Sequence, residues 1–195
     1  MTELQIILLL ATLFFIYKAY MRFMGMGDDI RIPSQENEPA APEASGNLDL
    51  DEAVQKADTA YEAGDFLAAL NLLEKAREMA PENTEVLSRL GFVLAKNDED
   101  FKAMEIYKDA LALDPEDDTI HSALASLYRK KGMTKEAETH YQEAIRIDPD
   151  YAVTYFNYGN LLLDLERKDE AKSMYEKALA LDPDFAEARA ALDEL

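Results

Sequence analysis

Cysteine is missing from this chain, and positive charge is scarce. Without cysteine, the protein can form no disulfide, no thiolate metal site and no thiol nucleophile. The 195 residues include 40 acidic and only 20 basic side chains, which gives a net charge of -20. Because a surface of this charge repels phosphate groups, nucleic acid is not expected among the partners.

Short motifs of catalytic and cofactor sites are absent as well. The sequence has no glycine-rich phosphate loop and no nucleophile elbow. Its two histidines are His121 and His140, and His121 has no His or Cys partner at metal-ligand spacing, so a packing role is predicted. The acidic runs at 97–100 and 114–118 lack the glycine and the distal glutamate of a calcium loop. We therefore expect no enzymatic activity, no metal and no cofactor.

One long apolar run stands near the N-terminus. Residues 4–17 carry no charged side chain, and the apolar pattern continues past Lys18 and Arg22. These two cations share one helical face, from which their side chains can reach the membrane surface. The pattern predicts a single transmembrane helix over residues 4–24, within an anchor of residues 1–27.

Two other interpretations of this run fit less well. A cleaved signal peptide normally begins with positive charge, whereas the first five residues hold Glu3 and no Lys or Arg. A buried core helix would be apolar on almost every side, which is unusual in a small acidic protein. Since Lys18, Arg22 and Arg31 all follow the run, the positive-inside rule predicts a single-pass protein whose main domain faces the cytoplasm. The alternative is a domain on the periplasmic or intermembrane-space side.

Residues 28–48 differ in composition from the segments on both sides. They contain three prolines, a Ser-Gly pair and few large apolar side chains, so they cannot bury enough surface to fold. We expect a disordered acidic linker here, followed by a folded domain over residues 49–195.

The rest of the chain repeats with a period of 34 residues. Prolines recur at this interval, each with an alanine five and twelve residues before it and a bulky Leu or Tyr eight residues before it. The prolines are Pro81, Pro115, Pro149 and Pro183. The period defines four units and a short capping helix, at about 50–83, 84–117, 118–151, 152–185 and 186–195.

Each unit is predicted to fold as helix, turn, helix. Small residues at Gly91, Ala125 and Gly159 allow the first helix of a unit to pack closely on its neighbour. Gly64 and Gly132 interrupt two units, and short charged segments interrupt the other two. Each proline follows the end of a second helix, and the acidic or Asn residues after it are expected to cap the next helix.

A small residue, an aromatic residue, alanine and proline at this period resemble the tetratricopeptide repeat, over about residues 50–185. The resemblance implies an all-α, right-handed solenoid of helix-turn-helix repeats, here preceded by one transmembrane helix. It also implies a concave groove, lined by the first helices, that holds a segment of a partner protein. The first unit departs from the family pattern, because Lys56, Ala57 and Ala60 stand where Leu, Gly and Tyr are usual.

The family register, transferred onto this chain, gives the residues of the groove. The partner-binding residues are predicted to be Arg89, Phe92, Lys96, Ser126, Arg129, Lys130, Phe156, Asn157 and Asn160. Four of the nine are cationic, which predicts a locally basic groove and a partner segment that is acidic or amphipathic. The family's clamp for chaperone C-termini is not expected, because Val54 and Asp58 stand where it needs Lys and Asn.

The sequence therefore predicts a non-catalytic, membrane-tethered adaptor for a partner protein. Two alternatives remain open, namely an assembly factor of envelope biogenesis and a fixed structural subunit of a larger membrane complex.

Overall fold

The computed structural model describes residues 48–195, and this range forms nine α-helices and no β-strand. In chain order they are α1 (Leu50–Glu62), α2 (Phe66–Met79), α3 (Thr84–Lys96), α4 (Asp100–Leu113), α5 (Asp118–Lys130), α6 (Thr134–Ile147), α7 (Ala152–Asp164), α8 (Lys168–Leu181) and α9 (Ala186–Asp193). Within the same range, no helix is both long enough and apolar enough to cross a bilayer. The predicted anchor of residues 1–27, and residues 28–47 of the predicted linker, lie outside the described residues.

The helices pack as four consecutive pairs followed by α9. The two helices of a pair make the most extensive contacts, and the second helix of each pair packs on the first helix of the next. In addition, α3 contacts α5 and α5 contacts α7, so these first helices lie side by side. The predicted all-helical repeat solenoid is confirmed, including the first pair, whose sequence departs most from the family pattern.

The turn inside each pair repeats one backbone conformation. One residue of every turn lies in the left-handed region, where φ is 78° at Gly64, 59° at Asp98, 73° at Gly132 and 60° at Glu166. The next backbone N–H then reaches back to the first helix, as from Met133 to the Tyr128 carbonyl at 2.9 Å. These bonds satisfy carbonyl groups that the end of a helix leaves without a partner.

The connection between pairs contains the repeated proline. In three connections the Asp before the proline accepts a hydrogen bond from the backbone N–H two residues later. Asn83 and Asp117 then cap α3 and α5 through their side-chain oxygens, as predicted. The capping prediction is wrong for α7 and α9, because Tyr151 and Phe185 occupy the N-cap position and an aromatic ring places no acceptor beside the first turn.

Close packing within two pairs depends on a glycine opposite a tyrosine. A Cβ atom added at Gly91 would lie 2.6 Å from Tyr107 Cε1, and one added at Gly159 would lie 2.5 Å from Tyr175 Cε1. Carbon atoms do not tolerate such distances, so a side chain at either glycine would force the two helices apart. Burial of Tyr107 also raises the pKa of its hydroxyl. The close helix packing predicted at Gly91 and Gly159 is confirmed.

The last helix packs against the fourth pair. Ala188 of α9 is fully buried in a cluster with Tyr155 and Ala178. Phe185, which immediately precedes α9, lies against Phe156 with ring centroids 5.0 Å apart. The short helix thus shields apolar surface that the end of a repeat stack would otherwise expose.

Candidate functional site

The nine predicted groove residues lie on α3, α5 and α7, and α1 extends their surface toward the N-terminus. Side-chain bonds between positions 31 to 35 residues apart join neighbouring units along this surface. We call it the first-helix face. It is defined by Asp58, Tyr61, Arg89, Phe92, Lys96, Ser126, Arg129, Lys130, Phe156, Asn157 and Asn160.

Arg89 is held between two carboxylates at the N-terminal end of the first-helix face. Its Nη1 atom donates to the two Asp58 oxygens at 2.6 and 2.7 Å, and its Nη2 atom donates to Glu85 at 2.8 Å. The hydrogen bond to Glu85, together with the charge of Asp58, raises the pKa of the guanidinium. Because Asp58 lies on α1 and Arg89 on α3, this interaction joins the first two units.

An aromatic hollow lies next to Arg89. The ring of Phe92 is 43% exposed and lies 5.2 Å from the ring of Tyr61. The ammonium group of Lys96 stands over the Phe92 ring at 5.3 Å. The hollow has a volume of about 330 Å³ and is lined by Asp58, Tyr61, Glu62, Arg89, Phe92 and Val93. It therefore combines exposed apolar surface with charges of both signs.

Two cations of α5 are also paired with carboxylates. Arg129 Nε donates to Asp164 at 2.6 Å, which joins α5 to α7. Lys130 Nζ donates to Asp98 and to Asp100 at 2.9 Å each, which joins α5 to the turn before α4 and to the start of α4.

The first-helix face is consequently less basic than the sequence predicts. Arg89, Arg129 and Lys130 are balanced by carboxylates, and Lys96 is the one predicted cation without an ion pair among residues 48–195. Counting the charges of single helices misses these pairs, because the two partners are separated along the chain by about one repeat length. That spacing is the signal that could have revealed them, since neighbouring repeats bring such positions side by side.

Two of the predicted polar residues, Ser126 and Asn160, direct their side chains toward the core of the repeats. The Ser126 hydroxyl lies 2.9 Å from the Tyr141 hydroxyl, and Asn160 Oδ1 accepts a hydrogen bond from the Tyr175 hydroxyl at 2.8 Å. Both interactions position buried tyrosines. Asn157 is half-buried, and its side chain has no hydrogen bond within the described range.

The two histidines contact each other, which the sequence did not indicate. His121 of α5 and His140 of α6 have their Nδ1 atoms 2.9 Å apart, and the His140 ring stacks on Tyr128. Burial lowers the pKa of His140, and the nearby His121 lowers it further. Spacing along the chain does not show which positions two paired helices bring together, so the search for a partner at metal-ligand spacing did not find this contact.

Two family models match the chain, and both are described as the tetratricopeptide repeat. One matches residues 60–127 and the other matches residues 116–184, so together they cover well over half of the chain. Residues 60–184 therefore contain tetratricopeptide repeats. Tetratricopeptide-repeat proteins are protein-interaction scaffolds, and the first-helix face is the surface of this domain on which its interaction residues were predicted.

Solved tetratricopeptide-repeat structures share the fold of this domain. A thermophilic protein of Thermus thermophilus is 27% identical with a TM-score of 0.66, over 75% of this chain and 80% of that one. MamA is 26% identical with a TM-score of 0.64, over 70% of this chain and 80% of its own. YrrB, described as having an unusual peptide-binding site, is 23% identical with a TM-score of 0.66, over 77% of both chains. No curated protein sequence matches the chain significantly.

Proposed function

We propose that the protein is a non-catalytic, membrane-tethered tetratricopeptide-repeat scaffold that binds an amphipathic segment of a partner protein on its first-helix face. The observation that carries this proposal is the hollow beside Phe92, whose ring is 43% exposed and lies next to the ammonium group of Lys96. The family's role as interaction scaffolds and the peptide-binding site described for YrrB support the same conclusion.

The hollow favours a segment with one apolar anchor and an acidic group beside it. An apolar side chain seated against Phe92 and Tyr61 removes both rings from water, which is the main source of affinity in such contacts. A carboxylate on the segment would meet Lys96, whereas Arg89 and Arg129 already bind carboxylates of this chain. The amide of Asn157 is placed to bond the backbone of the bound segment farther along the face.

Truncation of Phe92 tests the proposal, and Phe101 supplies a matched control. Phe101 lies on α4, is 68% exposed and also has a lysine over its ring, with Lys131 Nζ at 4.9 Å. A photoreactive phenylalanine analogue placed at position 92 in living cells should crosslink one partner, which mass spectrometry then identifies. We expect Phe92→Ala to weaken binding of that partner by about tenfold or more, and Phe101→Ala to leave it unchanged.

Two outcomes would reject the binding face. If both variants lose binding equally, the partner binds elsewhere or the loss comes from general destabilisation of the domain. Unchanged binding in Phe92→Ala would show that the hollow is not used.

The membrane tether rests on sequence and is part of the same proposal. Residues 1–27 would anchor the chain, residues 28–48 would link the anchor to the domain, and the domain would face the cytoplasm. Support comes from the uncharged run of residues 4–17 and from the basic residues that follow it.

A further inference from the structure

We propose that His121 and His140 bind a divalent transition metal ion of the zinc class, with Glu143 as the third protein ligand. The site lies between the two helices of the third unit and shares no residue with the first-helix face, so it is independent of the proposed scaffold function. The contact between the two imidazole rings is the observation from which the inference starts.

Hydrogen bonding fixes the proton positions of the pair. His121 Nε2 lies 3.1 Å from the carbonyl oxygen of Pro115, which can only accept, so this nitrogen carries the proton. Neutral His121 therefore has its lone pair on Nδ1, which accepts a hydrogen bond from His140 Nδ1 at 2.9 Å. A backbone carbonyl that holds the far N–H of a histidine is the usual outer contact of a metal-binding imidazole.

The separation of the two nitrogens is close to that of metal ligands. A tetrahedral zinc ion lies about 2.0–2.1 Å from each imidazole nitrogen, which places two such nitrogens about 3.3 Å apart. The two Nδ1 atoms are 2.9 Å apart, so they need to move apart by only about 0.4 Å to hold the ion. The metal would replace the proton on His140 Nδ1, and that proton leaves to solvent while Nε2 keeps or gains one.

Glu143 stands one helical turn after His140 and supplies an oxygen ligand. Its carboxylate now accepts from Arg146 Nε at 2.7 Å, at an exposed position. Arg146 also binds Glu116 through Nη2 at 2.9 Å, so Glu143 can turn to the metal without leaving the guanidinium unpaired. Within residues 48–195 no three ligand groups already stand at metal-binding distance, and this rotation of Glu143 completes the set.

The surroundings can accept an added cation. A hollow of about 470 Å³ opens beside the rings, with room for the ion and a water molecule in the fourth position. The nearby cation Lys108 is bonded to Glu105 at 3.2 Å, and the chain as a whole has a net charge of -20. A bound ion would fasten α5 to α6 and so stabilise the third unit against unfolding.

Titration of the full-length chain with zinc chloride, in a mild non-ionic detergent and followed by calorimetry, tests this site. We expect one ion per chain, at least tenfold weaker binding in His121→Gln and in His140→Gln, and a smaller loss in Glu143→Gln. Glu187→Gln on α9 removes a distant exposed carboxylate and should bind as the parent does. Zinc should also raise the melting temperature of the parent and of Glu187→Gln, and not that of the two histidine variants.

Other results would overturn the inference. The site is absent if the parent takes up no stoichiometric zinc, or if both histidine variants bind it as well as the parent. The pH dependence of zinc binding by the parent protein is a second test. Imidazole ligands must be deprotonated, so binding should weaken strongly as the pH falls from 7.5 to 5.5. Affinity that stays constant over this range would show that the ion is held by surface carboxylates instead.

Discussion

Two residues of the domain adopt a backbone conformation that suits glycine better. Asp98 and Glu166 have φ values of 59° and 60°, at the turn positions that Gly64 and Gly132 occupy in the other two units. A side chain in this region costs roughly 1–2 kcal/mol of strain. Asp98 gains an ion pair with Lys130, whereas Glu166 is exposed and has no ion pair within the described part of the chain. The residue types alone do not reveal this conformation, but the 34-residue period does.

Replacement of Glu166 by glycine should therefore stabilise the domain. Relief of the strain is partly offset by the greater freedom of glycine in the unfolded chain, so we expect Glu166→Gly to raise the free energy of unfolding by about 0.5–1 kcal/mol. Urea denaturation of residues 48–195 measures the change. Glu166→Ala is the control, because it removes the charge and keeps the Cβ atom. Equal stabilisation by both variants would attribute the gain to charge rather than to backbone strain.

At the scale of the elements, one buried carboxylate fastens the second unit to the third. Asp100 at the start of α4 is only 3% exposed, and Lys130 and Lys131 bind its two oxygens at 2.9 and 2.7 Å. Burial raises the pKa of Asp100, but hydrogen bonds from Lys131 and Lys130 outweigh burial and lower it below the ordinary value of 3.8. The charges also suit the helix dipoles, since the carboxylate lies at a helix N-terminus and the lysines lie at a helix C-terminus.

Asp100→Asn should weaken this connection in a pH-dependent way. Loss of the charge-assisted bonds is expected to cost about 1–3 kcal/mol at pH 7. Because the folded-state pKa of Asp100 is lowered, its stabilisation is fully present above the unfolded-state pKa and is lost as the pH falls through the folded-state pKa. The difference in unfolding free energy between parent and Asp100→Asn should thus be constant from pH 7 to about 5 and shrink below about 4. A difference that does not change with pH would show that Asp100 acts through packing rather than charge.

At the scale of the whole molecule, the sequence revealed the architecture more fully than the candidate site. A fixed period and small residues at matching positions are local features, so the helical pairs and the close packing at Gly91 and Gly159 could be predicted. Ion pairs such as Arg89 with Asp58, and the contact of His121 with His140, depend on how helices turn toward each other. Arg89 and Asp58 are 31 residues apart, close to the repeat length, so a comparison of charges across neighbouring units could have revealed this pair. The two histidines are 19 residues apart, a spacing that the repeat does not mark. The charge of the first-helix face was therefore overestimated.

The orientation of the domain relative to the membrane is the broadest prediction. Lys18, Arg22 and Arg31 lie close to the C-terminal side of the apolar run, and positive charge near the end of a transmembrane segment stays on the cytoplasmic side. Protease added to sealed right-side-out vesicles should therefore spare residues 49–195, and protease added to inverted vesicles should digest them.

The domain offers a matched control, because charges farther than about 15–20 residues from the transmembrane segment contribute little to orientation. When Lys18, Arg22 and Arg31 are replaced by Gln, some molecules should insert in the opposite orientation, and protease added to right-side-out vesicles should then digest their domain. Replacement of three lysines of the domain by Gln should have no such effect. If protease digests the domain of the parent protein in right-side-out vesicles, the domain faces away from the cytoplasm. Its partner would then not be a cytoplasmic protein.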